Sequence, residues 1–211
     1  MGYGNIIGKH VQYYQMMVQR ERKPNNMCGR YYIEIDNMEL HSIIAEVEKK
    51  TAVKTGEIYP TNTVPVLSPK GTLTAMRWGF PRYDNKGEVI NARSETAAEK
   101  NMFRYPMMEG RCLVPASWYF EWEKRGSKKV KYALAAPDNR PVWLAGLSKR
   151  NAETGESLFV ILTRPAWAGI SFIHDRMPVI LQKESHDEWL FGHDPAGTMN
   201  RALSEVRYRP E

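Results

Sequence analysis

The sequence predicts an α+β fold in which a strongly curved, mostly antiparallel β-sheet closes into a pseudo-barrel, with a few peripheral helices. Three observations predict it. Short apolar or alternating runs dominate the chain, separated by Gly, Pro, Asn or charged turns. Helical patterns are few, and no regular βαβ alternation is present, which argues against a parallel α/β fold. The 211 residues are 42% hydrophobic and include six Trp, enough to fill the core of one domain.

In chain order, residues 1–26 differ in character from the rest of the chain. "HVQYYQMMVQRER" places Val11, Tyr14 and Met17/Val18 at helical spacing, and "KPNN" then breaks the pattern. This stretch reads as an N-terminal extension to a single domain over residues 27–211. It is either an appended segment or a specific regulatory element. "CGRYYIEI" alternates like a strand. "NMELHSIIAEVEKK" reads as a helix, with Leu40, Ile43, Ile44 and Val47 on one face and Asn37 as its cap. "TVPVL", "TLTAMRWGF", "RCLVPASWYFEW", "KVKYALAA", "PVWLAGL", "SLFVIL" and "MPVIL" each read as a strand. "SETAAEK" is predicted as a short helix capped by Ser94. A second is predicted to start near Ser185 in "ESHDEWLFG", and a last one in "TMNRALSEV".

Composition excludes several classes of function. No run of about 18 apolar residues exists to span a membrane. The N-terminus has no apolar core or cleavage site of a secretory signal. Cys28 and Cys112 are the only cysteines, without CxxC or zinc-like spacing. That points to a reducing, cytoplasmic setting without a structural metal, and argues against a Cys28–Cys112 disulfide. No cofactor motif or phosphate loop is present. The net charge is +6, of which residues 1–27 carry +3 through Lys9, Arg20, Arg22 and Lys23 against Glu21. Such an excess permits a polyanionic partner without proving one.

Chemistry could sit in five places. Cys28 follows Met27 directly. As an internal residue it would be a small core side chain. As a first residue, after Met removal, it would carry an α-amine with a pKa of about 7.7–8.0 beside a thiol near about 8.5. That aminothiol condenses with an aldehyde, first as a Schiff base and then as a thiazolidine, whereas an amide nitrogen cannot begin the reaction. Asn91 and Arg93 in "VINARSET" alternate along an extended segment and share a face, where Arg could fork onto a phosphate. Glu121 lies between Phe120 and Trp122. A carboxyl among aromatics suits proton transfer near neutral pH, but the same pattern fits a Glu that points outward. His174 closes an apolar run and precedes Asp175 and Arg176. Arg77 beside Trp78 pairs a cation with a π-face, as single-stranded nucleic acid requires, although Trp78 serves equally well as core.

Taken together, "MCGRYY", "YPTNTVPVL", "MRWGF", "INARSET", "RCLVPASWYFEW" and "IHDRMPVIL", in this order from Met27 to about Leu190, closely resemble the SRAP family of SOS response-associated peptidase-like proteins. The resemblance implies a curved, β-rich α+β fold and binding of single-stranded DNA at abasic sites. It further implies a covalent crosslink from an N-terminal cysteine to the ring-opened sugar. A monomer that associates with the nucleoid during DNA damage is the expectation for this chain. Family members are also described as autoproteolytic. Carried over by motif, Cys28 becomes covalently attached, Asn91 positions the cysteine or sugar-phosphate, Glu121 shuttles protons, and His174 acts as acid/base at the opened sugar. Arg77 and Arg93 hold phosphates, Trp78 offers an apolar or stacking surface beside the lesion, and Pro60 shapes the pocket wall.

The chain departs from the family pattern at three points. Trp118 stands where Gly is usual. The stretch after Trp78 is short and offers Tyr83 in place of a second Trp. Residues 1–26 precede Met27. Three accounts of that extension compete: Met27 is the true initiator, the extension is a pro-segment removed by Cys28 with His174 and Glu121 assisting, or it persists and leaves a DNA-binding module without aminothiol chemistry.

Overall fold

The computed structural model describes residues 29–84 and 86–211. Cys28 and the extension ahead of it lie outside the described residues. The chain opens with β1 (Arg30–Ile33) and then α1 (Met38–Glu48). The predicted Asn37 cap is present: its side chain accepts from the amides of Glu39 and Leu40, and Leu40, Ile43, Ile44 and Val47 are buried. Seven more elements come next: β2 (Gly56–Ile58), β3 (Thr63–Leu67), β4 (Leu73–Trp78), β5 (Phe80–Pro81), β6 (Glu88–Val89), β7 (Asn91–Arg93) and α2 (Asn101–Glu109). The central strands are β8 (Arg111–Ala116), β9 (Trp118–Arg125), β10 (Lys128–Ala135), β11 (Val142–Arg150) and β12 (Ser157–Pro165). The chain ends with β13 (Arg176–Pro178), β14 (Ile180–Leu181), α3 (His186–Phe191), α4 (Pro195–Asn200) and β15 (Arg207–Pro210).

Two sheets form the body. One runs β15-β10-β9-β1-β2, all antiparallel. In the other, β12-β4-β3-β8-β11 closes on itself because β11 also pairs with β12. This five-stranded barrel is the α+β pseudo-barrel expected. Its one parallel contact within the ring sets Leu158 and Phe159 of β12 against Arg77 and Trp78 of β4. Farther along the same edge of β12, β7 pairs in parallel, placing Asn91 opposite Ile161 and Arg93 opposite Thr163. Barrel strands are buried on both faces. On β12, Phe159 and Ile161 join one apolar cluster while Leu158, Val160 and Leu162 join another. Near-continuous apolar runs such as "SLFVIL" result from that double burial. The first cluster also takes in Tyr31, Tyr119, Tyr132 and Leu134, so it fills the space between the two sheets.

Some local expectations are corrected. "RCLVPASWYFEW" is two strands, broken at Ser117, whose amide donates to the Tyr32 carbonyl while its Oγ accepts from the Glu34 amide. There the chain leaves the barrel for the open sheet. "SETAAEK" forms successive turns rather than a helix. The Ser94 amide donates to the Thr163 carbonyl, its Oγ lies 3.3 Å from the Glu95 carboxylate, and that carboxylate is held by Arg176, so the segment is tied to β12 and β13 rather than started as a helix. Helix α2 comes after it instead. "MPVIL" splits into two strands, and α4 starts ahead of the predicted "TMNRALSEV", capped by Asp194.

Candidate active site

Gly29, the residue after Cys28, lines a cleft of about 710 Å³ at the start of β1. Three predicted residues converge on it from separate parts of the chain: Pro60 from the β2–β3 turn, Glu121 from β9 and His174 from the segment before β13. Arg30, Tyr59, Trp122, Lys124, Lys129 and Phe172 complete much of the wall.

The β2–β3 turn is held tightly. Asn62 Oδ1 accepts from the Tyr59 amide (3.0 Å), and the Thr61 amide donates to the Trp78 carbonyl (2.8 Å). Thr61 has φ = 75°, a left-handed conformation unusual for a β-branched residue, after a proline that favours such a turn. Strain of this kind persists only where surrounding bonds enforce it, and here it presents Pro60 to the cleft.

Glu121 is only 3% exposed. Alternation along β9 puts it on the face of Tyr119, towards the core, while Trp118, Phe120 and Trp122 take the opposite face. The outward orientation that the sequence left open is therefore excluded. His174 is half-buried. Burial lowers its pKa more strongly than Asp175 raises it. Its Nδ1 lies 3.0 Å from both the Arg176 amide and Asp175 Oδ1. One nitrogen cannot serve both: in the neutral ring Nδ1 accepts from the amide and the proton sits on Nε2, whereas the charged ring turns an Nδ1 proton towards Asp175. Arg176 in turn forks onto Glu95 and donates to the Thr163 carbonyl (2.7 Å), fixing the segment that carries His174 to the loop after β7.

These shifts give the fold a pH dependence. A His whose folded pKa is lowered stabilises the fold above its unfolded value, near about 6.5, and loses that stability as pH falls. His174 and His186 are both lowered by burial. Glu95, held down to about 2 by Arg176, opposes unfolding throughout this range and fails only between its ordinary value and about 2. Denaturant midpoints are expected to drop from pH 7.5 to pH 5, and the His174→Gln, His186→Gln double variant should flatten that slope. An unchanged slope would refute the assignment.

The other predicted residues sit differently. Asn91 and Arg93 share a face of β7 as expected, and Arg93 is exposed at its end. Arg77 forms a largely buried ion pair with Glu88 (2.7 Å) and does not line the cleft. For Trp78 only the stacking expectation is corrected: the ring is core, fully buried, tilted against Tyr31 with centroids 5.2 Å apart, and its Nε1 donates to the Ile90 carbonyl (2.9 Å). No face remains for a base. Cys112 is buried as a free thiol whose pKa burial pushes up, so it is inert.

Residue-by-residue reading missed the cationic rim. Arg30 pairs with Glu57 (3.0 Å) and lies over Tyr59 (3.9 Å from the ring centroid), with Trp122 at 5.5 Å. Period-two alternation in "WYFEWEK", which puts Trp118, Phe120, Trp122 and Lys124 on one face, was the signal that could have found its β9 part. Among the described residues, no three His, Cys, Asp or Glu are placed to hold a metal ion, and no helix is long and apolar enough to cross a membrane.

Known proteins are similar to this chain in sequence and in fold. The family model for SOS response associated peptidase (SRAP) matches residues 27–209. The abasic site processing protein YedK of Escherichia coli is 32% identical over 176 residues, covering 78% of this chain and 79% of YedK. The abasic site processing protein HMCES of Gallus gallus is 30% identical over 155 residues, covering 58% of this chain and 46% of HMCES. A crystal structure of a Bacteroides thetaiotaomicron protein superposes with a TM-score of 0.71 at 21% identity, over 87% of this chain and 91% of that one, a likeness of fold alone. With the family model spanning most of its length and YedK aligned over more than three-quarters of both chains, this chain belongs to the SRAP family.

Proposed function

We propose that this protein recognises abasic sites in single-stranded DNA and becomes covalently linked to the ring-opened sugar through Cys28 as an N-terminal residue. The observation that carries the reading is the convergence of Glu121, His174 and Pro60 on one cleft beside Gly29, in a relative of proteins named for abasic site processing.

The abasic sugar opens when its C1′–O4′ bond breaks: the charged His174 ring delivers its Nε2 proton to O4′ and becomes neutral, while the C1′ hydroxyl gives its proton to solvent water as it becomes the aldehyde. The Cys28 amine attacks the C1′ aldehyde and a carbinolamine forms. Glu121 protonates the departing hydroxyl, water leaves, and a Schiff base remains. The Cys28 thiol then gives its proton to the Glu121 carboxylate. Its sulfur attacks C1′, the C=N electron pair returns to nitrogen, and the thiazolidine closes. One water is lost overall, and the same groups run the reverse reaction. Asn91 positions the cysteine or the sugar-phosphate, while Arg93, Lys124 and Lys129 hold flanking phosphates. Arg77 acts on phosphate only if Glu88 releases it.

The aminothiol requires that nothing precede Cys28. Intact-mass spectrometry of protein translated from Met27 tests this. The expected result is a starting mass without Met27, then a gain of one abasic oligonucleotide less one water, without borohydride. Cys28→Ala should give no adduct. An adduct that survives Cys28→Ala, or none from protein with a free Cys28, overturns the proposal. Release of residues 1–27 from the full chain, lost in Cys28→Ala, would support the peptidase activity in the family's description.

A further inference from the structure

The outer face of the open sheet, opposite the core, carries cations beyond those of the cleft. Cross-strand pairing puts Arg30 of β1, Lys124 of β9 and Lys129 of β10, which line the cleft, on the same face as Lys131 of β10 and Arg207 and Arg209 of β15, which do not. Glu57 is the carboxylate set against them, paired with both Arg30 and Lys131 at 3.0 Å. The three β9 rings on this face each have a cation against them: Arg30 for Trp122 (5.5 Å), Lys131 for Phe120 (3.7 Å) and Arg209 for Trp118 (5.5 Å).

At the far end of this face lies a hollow of about 420 Å³, separate from the cleft. Trp118 is one wall, itself stacked on Tyr32 with centroids 4.6 Å apart and planes 6° from parallel. Ala133 and Ala135 on β10 leave the floor low, and Arg207, Arg209 and Asn139 stand around it. Among the described residues, no carboxylate lines the hollow. Glu211 reaches Arg209 (3.2 Å) from the chain end, in a pair exposed enough to contribute little. Two guanidinium groups over a small uncharged floor, beside a rigid aromatic wall, suit a phosphate with an attached planar or sugar group. Trp118 and Trp122 are four residues apart on one face of β9, about 13 Å at the rise of a strand. The hollow is therefore within reach of a strand that leaves the cleft across this face.

We propose that the hollow bounded by Trp118, Arg207 and Arg209 holds a backbone phosphate of the single strand whose lesion occupies the cleft. This rests on the function proposed above. The sheet face then acts as a track that orients the strand, and the hollow fixes its register away from the reacting sugar.

The test is fluorescence anisotropy with undamaged single strands across a salt series, for wild type, Arg207→Ala/Arg209→Ala and Ala135→Leu. The leucine fills the hollow and leaves both arginines in place. All these positions are away from the cleft, and thermal melting verifies folding. The plot of log affinity against log salt should become shallower by about 0.7–1.4 in the double alanine variant, as one or two phosphate contacts are lost. Ala135→Leu should weaken binding by a similar factor at low salt. The effect should appear only for strands long enough to extend well beyond about 13 Å from the cleft. Adduct formation with a short abasic oligonucleotide should be unchanged. An unaltered slope in the double variant, with adducts forming normally, overturns the hollow and leaves the cleft chemistry intact. Wild type that forms no adduct, yet loses slope in the variant, refutes the cleft chemistry and leaves the hollow as a strand-binding site. Inorganic phosphate protecting wild type but not the variant from melting, with no effect of strand length, would assign the hollow to a free phosphate and overturn the strand assignment.

Discussion

Replacing Glu121 by Gln is expected to slow adduct formation at neutral pH by about 10²–10⁴-fold, the range for removal of a positioned general acid–base group. That corresponds to about 2.7–5.4 kcal/mol of barrier. The substitution suits the question because Glu121 is buried on the core side of β9, beside Tyr119 and Tyr132. Gln has the same shape, so packing is largely kept while the capacity to give and take a proton is lost. The chemistry proposed for Cys28 needs that capacity twice, once to expel the carbinolamine hydroxyl and once to accept the thiol proton. Single-turnover rates with an abasic oligonucleotide should therefore fall while undamaged strands bind with unchanged affinity. Reversal of the preformed adduct should slow by a similar factor, because the same proton transfers run backwards. A rate within several-fold of wild type would remove Glu121 from the proton path and leave it a structural carboxyl. A parallel loss of strand affinity would point instead to a disturbed cleft.

The legible parts of this fold were those where one local signal and one burial pattern agreed. Helix α1 is such a case: the Asn37 cap and the Leu40, Ile43, Ile44 and Val47 stripe describe the same element. Helix α2 was missed because Arg104 and Pro106 interrupt "NMFRYPMME", and its buried side is only Phe103, Pro106 and Met107. Strand β15 was missed for another reason. All four of its residues are exposed, so "RYRP" has no apolar alternation and becomes a strand only by pairing with β10. Closure of the barrel was not legible in register, since β4 and β12 meet across some eighty residues. The cleft was legible as a set of residues rather than as a place, because Pro60, Glu121 and His174 come from three distant segments. Alternation in "WYFEWEK" marked Lys124, but Arg30 and Lys129 carry no local mark that separates them from ordinary surface charge.

Trp78→Ala is expected to lower folding stability by about 3–5 kcal/mol, the cost of emptying a large aromatic site in a packed core. In a domain of this size that is a fall in melting temperature of about 6–20 °C. The ring is fully buried, against Tyr31 and nearly parallel to Phe159 with centroids 6.3 Å apart. Its position on β4 places it where the barrel makes its parallel contact with β12. The Nε1 bond to the Ile90 carbonyl also ties this core to the segment leading into β7, and Ile90 itself lines the cleft. Trp78→Phe separates the two contributions. It keeps most of the apolar contact and should cost less, with about 0.5–1.5 kcal/mol from the lost hydrogen bond. The sequence "AMRW" already held the signal for burial: Met76 and Trp78 alternate to one face and Arg77 to the other, as the structure shows. Chemical denaturation measures both variants. A cost below about 1 kcal/mol for Trp78→Ala, together with weakened binding of single strands, would show that this ring reaches DNA after all. The expected pattern is the reverse, with a large stability loss and, in the folded Trp78→Phe protein, strand affinity close to wild type.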